Sequence, residues 1–223
     1  AKYYLGVIYY QKHQEYDAEK LFLSILDDIQ CDKTYNYLGI IKLDQQKIGE
    51  AINYFQFAIK IEPSVAFYHY NLATAYSLNG WFSEAEQCFK KAIILSPNNL
   101  VYNYSLAYLY YERAEFQKSR DCLNVIFEID EKYLDALILL AMIDAKEGKV
   151  VESKKALEKY KEIDLNNDFL HYALAKIYKS LELYKEAIDA LQQALFIKPQ
   201  SLEYLTELAD CYCEITKYQV AQD

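Results

Sequence analysis

Leu38, Leu72, Leu106, Leu140, Leu174 and Leu208 recur at intervals of 34 residues without a slip. Each precedes a small residue: Gly39, Ala73, Ala107, Ala141, Ala175 or Ala209. Twelve positions further lies a second small residue, at Ala51, Ala85, Ser119, Ser153, Ala187 and Ala221, and four beyond it a large apolar one, at Phe55, Phe89, Leu123, Leu157 and Leu191. Ile61, Leu95, Ile129, Ile163 and Ile197 close each period. A register held through a chain of 223 residues means that every period is one supersecondary unit, built alike and stacked on its neighbours.

Within a period the spacing is helical. Leu72, Ala73 and Tyr76 line one face of a first helix, and Ala85, Phe89 and Ala92 line one face of a second. Asn79-Gly80 and Gly148 supply turns between them, and Pro63, Pro97 and Pro199 stop second helices because their missing N–H forbids continuation. Small residues at the crossing let backbones approach, and large ones fill the grooves beside it. One hairpin cannot bury its own apolar stripe, so neighbours must stack into a continuous core. With 53% apolar residues and only 5 Gly and 3 Pro, the composition suits an all-α solenoid.

The columns resemble the tetratricopeptide repeat (TPR), whose pattern of Trp, Leu-Gly, Tyr, Ala, Phe, Ala and Pro is matched by His69, Leu72-Ala73, Tyr76, Ala85, Phe89, Ala92 and Pro97. The preceding period gives Tyr35, Leu38-Gly39, Ala51, Phe55, Ala58 and Pro63. The resemblance covers essentially the whole chain. It implies a right-handed α-solenoid of stacked antiparallel hairpins, first helices lining a concave groove, and a function in protein–protein interaction rather than catalysis. The expected organisation is a single domain over 1–223, with five complete repeats at 32–65, 66–99, 100–133, 134–167 and 168–201 and partial ones at 1–31 and 202–223.

Departures from the pattern carry their own expectations. Lys42 and Asp144 stand where Tyr76, Tyr110, Tyr178 and Tyr212 stand, and bulky Ile126 and Tyr160 replace the small Ala58, Ala92 and Ala194. That bulk predicts looser hairpin packing around residues 120–165. Leu5-Gly6 precedes Leu38-Gly39 by 33 residues, one short of the period, and the last period stops at Asp223. Neither end offers a polar capping helix, so the chain reads as a stretch of a longer protein.

The first helices carry the candidate site. Opposite their core stripe, the columns read Tyr3, Asn36, Tyr70, Tyr104, Ile138, Tyr172; then Tyr4, Tyr37, Asn71, Ser105, Leu139; then Val7, Ile40, Thr74, Tyr108, Met142, with Phe67 at the helix start. A solvent face should be polar, whereas this one is aromatic and apolar. Tyr brings rigid area with a hydrogen-bonding tip, which suits a binding groove. The groove is assigned to Tyr37, Phe67, Tyr70, Asn71, Thr74, Tyr104, Tyr108, Met142, Tyr172 and Lys176. Two other accounts of the 24 Tyr stand beside it, rings filling gaps between first helices and a codon bias that also favours Ile, Asn and Lys. Asp135, Glu203, Glu207 and Asp210 make the C-terminal end acidic around Lys176, so the expected partner is a protein or peptide segment with apolar and basic residues.

The resemblance also excludes one ligand. A TPR subclass grips a chaperone's terminal carboxylate with Lys, Asn and Arg on successive first helices, and the matching faces here carry Tyr70, Asn71, Tyr104, Ser105 and Tyr108. A net charge of -9 argues against nucleic acid. The longest apolar run, Ala136 to Ile143, is too short to span a bilayer. The five Cys lack CxxC spacing and read as unbridged residues of a reducing, cytoplasmic setting. His69 and His171 share a column and read as structural, and no metal-ligand spacing, phosphate loop or nucleophile motif occurs, so no cofactor, metal or catalytic residue is expected. Trp81 sits at a hairpin turn, either exposed at the edge or packed on the next turn. Besides a scaffold, the sequence leaves open a substrate-recruiting arm of a larger enzyme and a self-associating assembly module.

Overall fold

A computed structural model describes residues 2–26, 30–161 and 166–220, with the backbone alone at 161 and 217–220. The described residues form 13 helices and no strand, in two compact units, Ala1–Arg113 and Ala114–Asp223. The first unit holds α1 (Lys2–Gln11), α2 (Glu15–Leu26), α3 (Asp32–Asp44), α4 (Ile48–Ile61), α5 (Ala66–Leu78), α6 (Phe82–Leu95) and α7 (Leu100–Glu112). The second holds α8 (Phe116–Ile129), α9 (Leu134–Lys146), α10 (Val150–Lys161), α11 (Asp168–Ser180), α12 (Tyr184–Ile197) and α13 (Leu202–Val220). Each is a helical-repeat solenoid. First helices start at Asp32, Ala66, Leu100, Leu134, Asp168 and Leu202, keeping the period of 34.

The repeat columns become the core. Leu38, Ala51 and Phe55 are buried in the first unit, as are Leu72, Ala73, Ala85 and Phe89; Leu157, Leu174, Ala175, Ala187 and Leu191 are buried in the second. The helix crossing is closest where glycine stands in the small-residue column. A Cβ on Gly6 would lie 2.7 Å from the Phe22 ring, and one on Gly39 would run into the Phe55 ring.

Every hairpin turns on a left-handed residue. Gln46, Gly80, Ala114, Gly148 and Glu182 have φ of 60, 77, 56, 96 and 61°, again 34 residues apart, and His13 has 57°. The N–H of Lys47 reaches back to the Lys42 carbonyl and that of Gln46 to Leu43, closing a Schellman motif that recurs from Trp81 to Tyr76 and from Leu183 to Tyr178. The two glycines were legible as turns. Of the others, His13, Gln46 and Glu182 accept a conformation that costs an L-residue about 1–2 kcal/mol because the motif satisfies the last helical carbonyls.

The column of Tyr76 ties each hairpin to the one before it. The Tyr76 hydroxyl accepts from Gln56 Nε2 at 2.9 Å, and those of Tyr110 and Tyr178 donate to Glu86 and Glu158. Lys42 and Asp144 keep the tie in ionic form, Lys42 with Glu19 at 2.5 Å and Asp144 with Arg120 at 2.7 Å. Burial alone would raise the Asp144 pKa, but hydrogen bonds from Arg120 and Lys149 outweigh it and hold the carboxyl below its ordinary value. Ile126 is fully buried, and across the described residues α9 and α10 pack together less extensively than α3 with α4, α5 with α6, or α11 with α12.

Candidate functional site

In the first unit, the face of α5 and α7 turned away from the core stripe is aromatic, exposed at Phe67 and half-buried at its tyrosines. Phe67 is 44% exposed and stacks on Tyr70 with ring centroids 6.2 Å apart. Tyr70 in turn lies parallel to Tyr102 of α7, 5.0 Å away, with Phe89 of α6 beneath at 5.9 Å. Tyr104 and Tyr108, one turn apart on α7, face each other at 6.4 Å, and both are half-buried. Thr74 is half-buried as well, its hydroxyl donating to the Tyr70 carbonyl. Val101 belongs with these residues at 47% exposure. Its signal was its place one period after Phe67, and its aliphatic character hid it from a search for aromatics.

Tyr37 and Asn71 sit elsewhere. Tyr37 is half-buried among Tyr3, Tyr10 and Phe22, at 5.9, 5.9 and 5.3 Å. Asn71 is 7% exposed and donates to Asn36 Oδ1 at 2.8 Å, a buried amide pair between α5 and α3. These rings and amides join first helices to one another. Burial and the neighbouring Tyr37 push the Tyr3 hydroxyl up to about 12, so it stays protonated.

The same columns in the second unit are closed. Met142 is 3% exposed, and Ile138 and Leu139 are fully buried. Tyr172 stacks on Tyr204 at 4.9 Å, as Tyr70 does on Tyr102, yet it is only 1% exposed. Its hydroxyl donates to Glu203 at 2.6 Å and accepts from Lys176 at 3.1 Å, whose ammonium also lies 5.2 Å over the ring. Lys176 and Lys179 both pair with Glu207, at 3.4 and 2.7 Å, and Lys179 reaches Asp210 at 3.3 Å. Burial would raise the Glu207 pKa, but Lys179 and Lys176 more than offset it and hold the carboxylate below its ordinary value. Asp135 accepts from Asn167. The acidic end of the expected groove is therefore spent on internal pairs.

Three periods separate the two hairpins, so they compare column by column. Thr74, Ser77, Val101, Ser105 and Tyr108 occupy the places of Lys176, Lys179, Glu203, Glu207 and Asp210. Helix α5 contains no Asp, Glu, Lys or Arg, and α7 contains Glu112 alone. One face is sealed by its own ion pairs; the other is uncharged.

The remaining candidates are structural. His69 Nε2 lies 2.9 Å from the Pro63 carbonyl, and Asn103, in the same column, donates to the Pro97 carbonyl at 2.9 Å. Polar residues in this column thus hold the exit from the preceding hairpin. No disulfide joins any of the five Cys, and burial pushes the Cys88 thiol up to about 11. Trp81 is both half-exposed and packed, its ring 5.7 Å from Tyr76. Among the described residues no three His, Cys, Asp or Glu side chains group as metal ligands, and no helix is long and apolar enough to cross a membrane.

Residues 66–99 and 170–201, the two hairpins just compared, each match a model of the tetratricopeptide repeat. Solved structures with this fold include a thermophilic TPR protein of Thermus thermophilus, at 18% identity and a TM-score of 0.69 over 82% of this chain and 100% of that one. A TPR protein from Parabacteroides merdae has 15% identity and a TM-score of 0.68 over 95% and 97% of the two chains. YrrB, a TPR protein with an unusual peptide-binding site, has 20% identity and a TM-score of 0.54 over 82% and 94%. No protein of curated function matches the sequence. Two hairpins of the chain thus match the tetratricopeptide repeat, and the fold is that of solved TPR proteins, a fold that suggests a protein–protein interaction scaffold.

Proposed function

We propose that this protein is a non-enzymatic scaffold that holds a peptide or protein segment on the first-helix face of α5 and α7, with contacts from Phe67, Tyr70, Thr74, Tyr104 and Tyr108. The observation that carries the reading is the uncharged aromatic surface there, exposed at Phe67 and half-buried at Tyr70, Tyr104 and Tyr108, where the same columns of the second unit hold ion pairs. Contiguous exposed apolar area of this kind marks binding surfaces, and stacked tyrosines supply it at low entropic cost. YrrB, a similar fold, carries a peptide-binding site, which is the use inferred here. Because Glu203, Glu207 and Asp210 are already engaged by Tyr172, Lys176 and Lys179, the reading keeps the apolar half of the expected partner and drops the requirement for a basic stretch.

The test is a peptide-display selection on the full chain, counter-screened with Phe67→Lys and Tyr108→Lys. Tyr70 is a poorer choice because its ring packs on Phe89 and Tyr102. Selected peptides should bind the parent and lose affinity by at least about tenfold on each variant, the scale of a rim-to-core contact in an interface. Peptides that bind all three proteins equally would remove this face as the site.

A further inference from the structure

We infer that the second unit carries a pocket between α11 and α12 that takes an arginine side chain of a partner protein. It is a separate site from the face of α5 and α7, and neither depends on the other. The cavity measures about 460 Å³, within the ~300–1,000 Å³ of pockets that hold small ligands. Its floor is buried, with His171, Leu174 and Ala190 at 3, 2 and 8% exposure. Tyr178 lines it half-buried, and Glu186, Asp189 and Gln193 are exposed at its rim.

The cavity follows from the residues in three columns. Four periods earlier, the columns of His171, Ala190 and Gln193 hold Tyr35, Tyr54 and Phe57. There the rings fill the space from within, Tyr35 stacking on Phe57 at 5.3 Å and lying 6.3 Å from Tyr54. A methyl group in place of the Tyr54 ring leaves the room that the pocket occupies. The same hairpin, α3–α4, shows what the rim is suited to hold. Lys42, in the column of Tyr178, is 5% exposed, and its ammonium pairs with Glu50 at 3.5 Å and with Glu19 at 2.5 Å. Glu186 is the counterpart of Glu50. With Tyr178 in place of the lysine, neither Glu186 nor Asp189 has an ion pair among the described residues. Lys154, which lies 4.9 Å over the Tyr178 ring, pairs with Glu158 at 3.9 Å.

Unpaired carboxylates above an apolar floor fit a side chain with an apolar stem and a cationic end. Arginine answers this better than lysine. Its planar guanidinium can donate to both carboxylates and to the Gln193 amide oxygen while stacking on a tyrosine ring, whereas an ammonium meets them as a point charge.

The experiment is an amide-resolved NMR titration of the isotope-labelled full chain with three capped tripeptides, Gly-Arg-Gly, Gly-Lys-Gly and Gly-citrulline-Gly. Citrulline has the shape of arginine without its charge. Ala190→Tyr restores the filling ring of the α3–α4 hairpin, and Glu186→Gln with Asp189→Asn removes the rim charges. Glu84→Gln, at an exposed residue in the Glu186 column of α6, is the control. The arginine peptide should shift the amides around Tyr178, Asp189 and Gln193 saturably, and bind at least about tenfold more weakly to both pocket variants. The lysine and citrulline peptides should bind the parent at least about tenfold more weakly than the arginine peptide does. Glu84→Gln should behave as the parent. If Ala190→Tyr fails to fold, the double variant at the two exposed carboxylates decides alone. Equal binding of the lysine or citrulline peptide would overturn the assignment to arginine. No saturable shift, or binding that survives in the pocket variants, would remove the pocket as a site.

Discussion

Hairpins α5–α6 and α11–α12 share a backbone plan, a Tyr–Tyr stack at 5.0 and 4.9 Å with the same 29° between ring planes, and a match to the same repeat family. They differ in what surrounds the stack. Beside Tyr172, Lys176 lies over the ring, Glu203 accepts from its hydroxyl, and Lys176 and Lys179 pair with Glu207 and Asp210; around Tyr70, the same columns hold Thr74, Ser77, Val101, Ser105 and Tyr108. The repeat thus dictates where a tyrosine goes, and the charges one and two turns away decide whether it is core or surface. The crossing column adds a contrast between other hairpins, since Gly6 and Gly39 stand against Phe22 and Phe55, while Ala73 and Ala175 stand in that column in α5 and α11, with Phe89 and Leu191 in the facing one.

The crossing column gives the largest expected effect. Gly39→Ala would drive a methyl group into the buried Phe55 ring. Overpacking of this kind costs about 1–3 kcal/mol, partly offset by the higher helix propensity of alanine. Ala175→Gly, the reverse change in the second unit, should also destabilise, by about 1 kcal/mol from propensity. Urea denaturation of both variants checks this. If Gly39→Ala proves neutral or stabilising, the two crossings are not packed differently.

Next comes the ionic seal. Lys179→Met leaves Glu207 and Asp210 short of their partner and should lower stability by about 1–2 kcal/mol, between an exposed and a buried pair. The pH dependence follows from Glu207, whose folded pKa is depressed: its contribution is fully present above the ordinary Glu value of ~4.3 and is lost as pH falls through the lower folded value. Hydrogen exchange should therefore show α11 and α13 losing protection in that acid window while α5, which carries no carboxylate, keeps it. Equal loss in the two helices would erase the contrast.

The hairpin turns provide a control because both units share them. Gln46→Gly and Glu182→Gly relieve a left-handed residue and should each stabilise by roughly 0.5–1 kcal/mol, after the entropy that glycine gives the unfolded chain. Thermal unfolding reads both. A gain in one unit only would mean that the turns, too, had diverged.

How much of this was legible in the sequence depends on whose side chains decide the outcome. Leu72, Ala73, Ala85, Phe89 and Ala92 are buried by partners at fixed offsets within the repeat, so periodicity alone found them. The left-handed Gln46 and Glu182 were invisible because the Schellman hydrogen bonds, rather than residue type, hold them. Lys42 and Asp144 read as breaks in a tyrosine column, yet each keeps that column's tie to the preceding hairpin by pairing with Glu19 or Arg120. Met142 and Tyr172 stand in the same columns as Tyr108 and Tyr70 but are buried by neighbours specific to their own unit. Val101, exposed one period after Phe67, escaped because it is aliphatic in a column that otherwise holds Phe or a charged residue.

The smallest effect on stability belongs to the variant that bears most directly on function. Thr74→Lys with Ser105→Glu rebuilds on α5 and α7 the Lys176–Glu207 pair of the second unit. An ion pair at half-buried positions should change stability by no more than about 0.5 kcal/mol. Its consequence for the surface is larger, because the new ammonium would lie over Tyr70 as Lys176 lies over Tyr172, at 5.2 Å from the ring. Peptide binding to this face should then fall below detection while the fold and the turn energetics stay as they were. Binding that survives the graft would mean that the ion pairs of the second unit do not seal its face. The difference between Tyr70 and Tyr172 would then lie in helix packing.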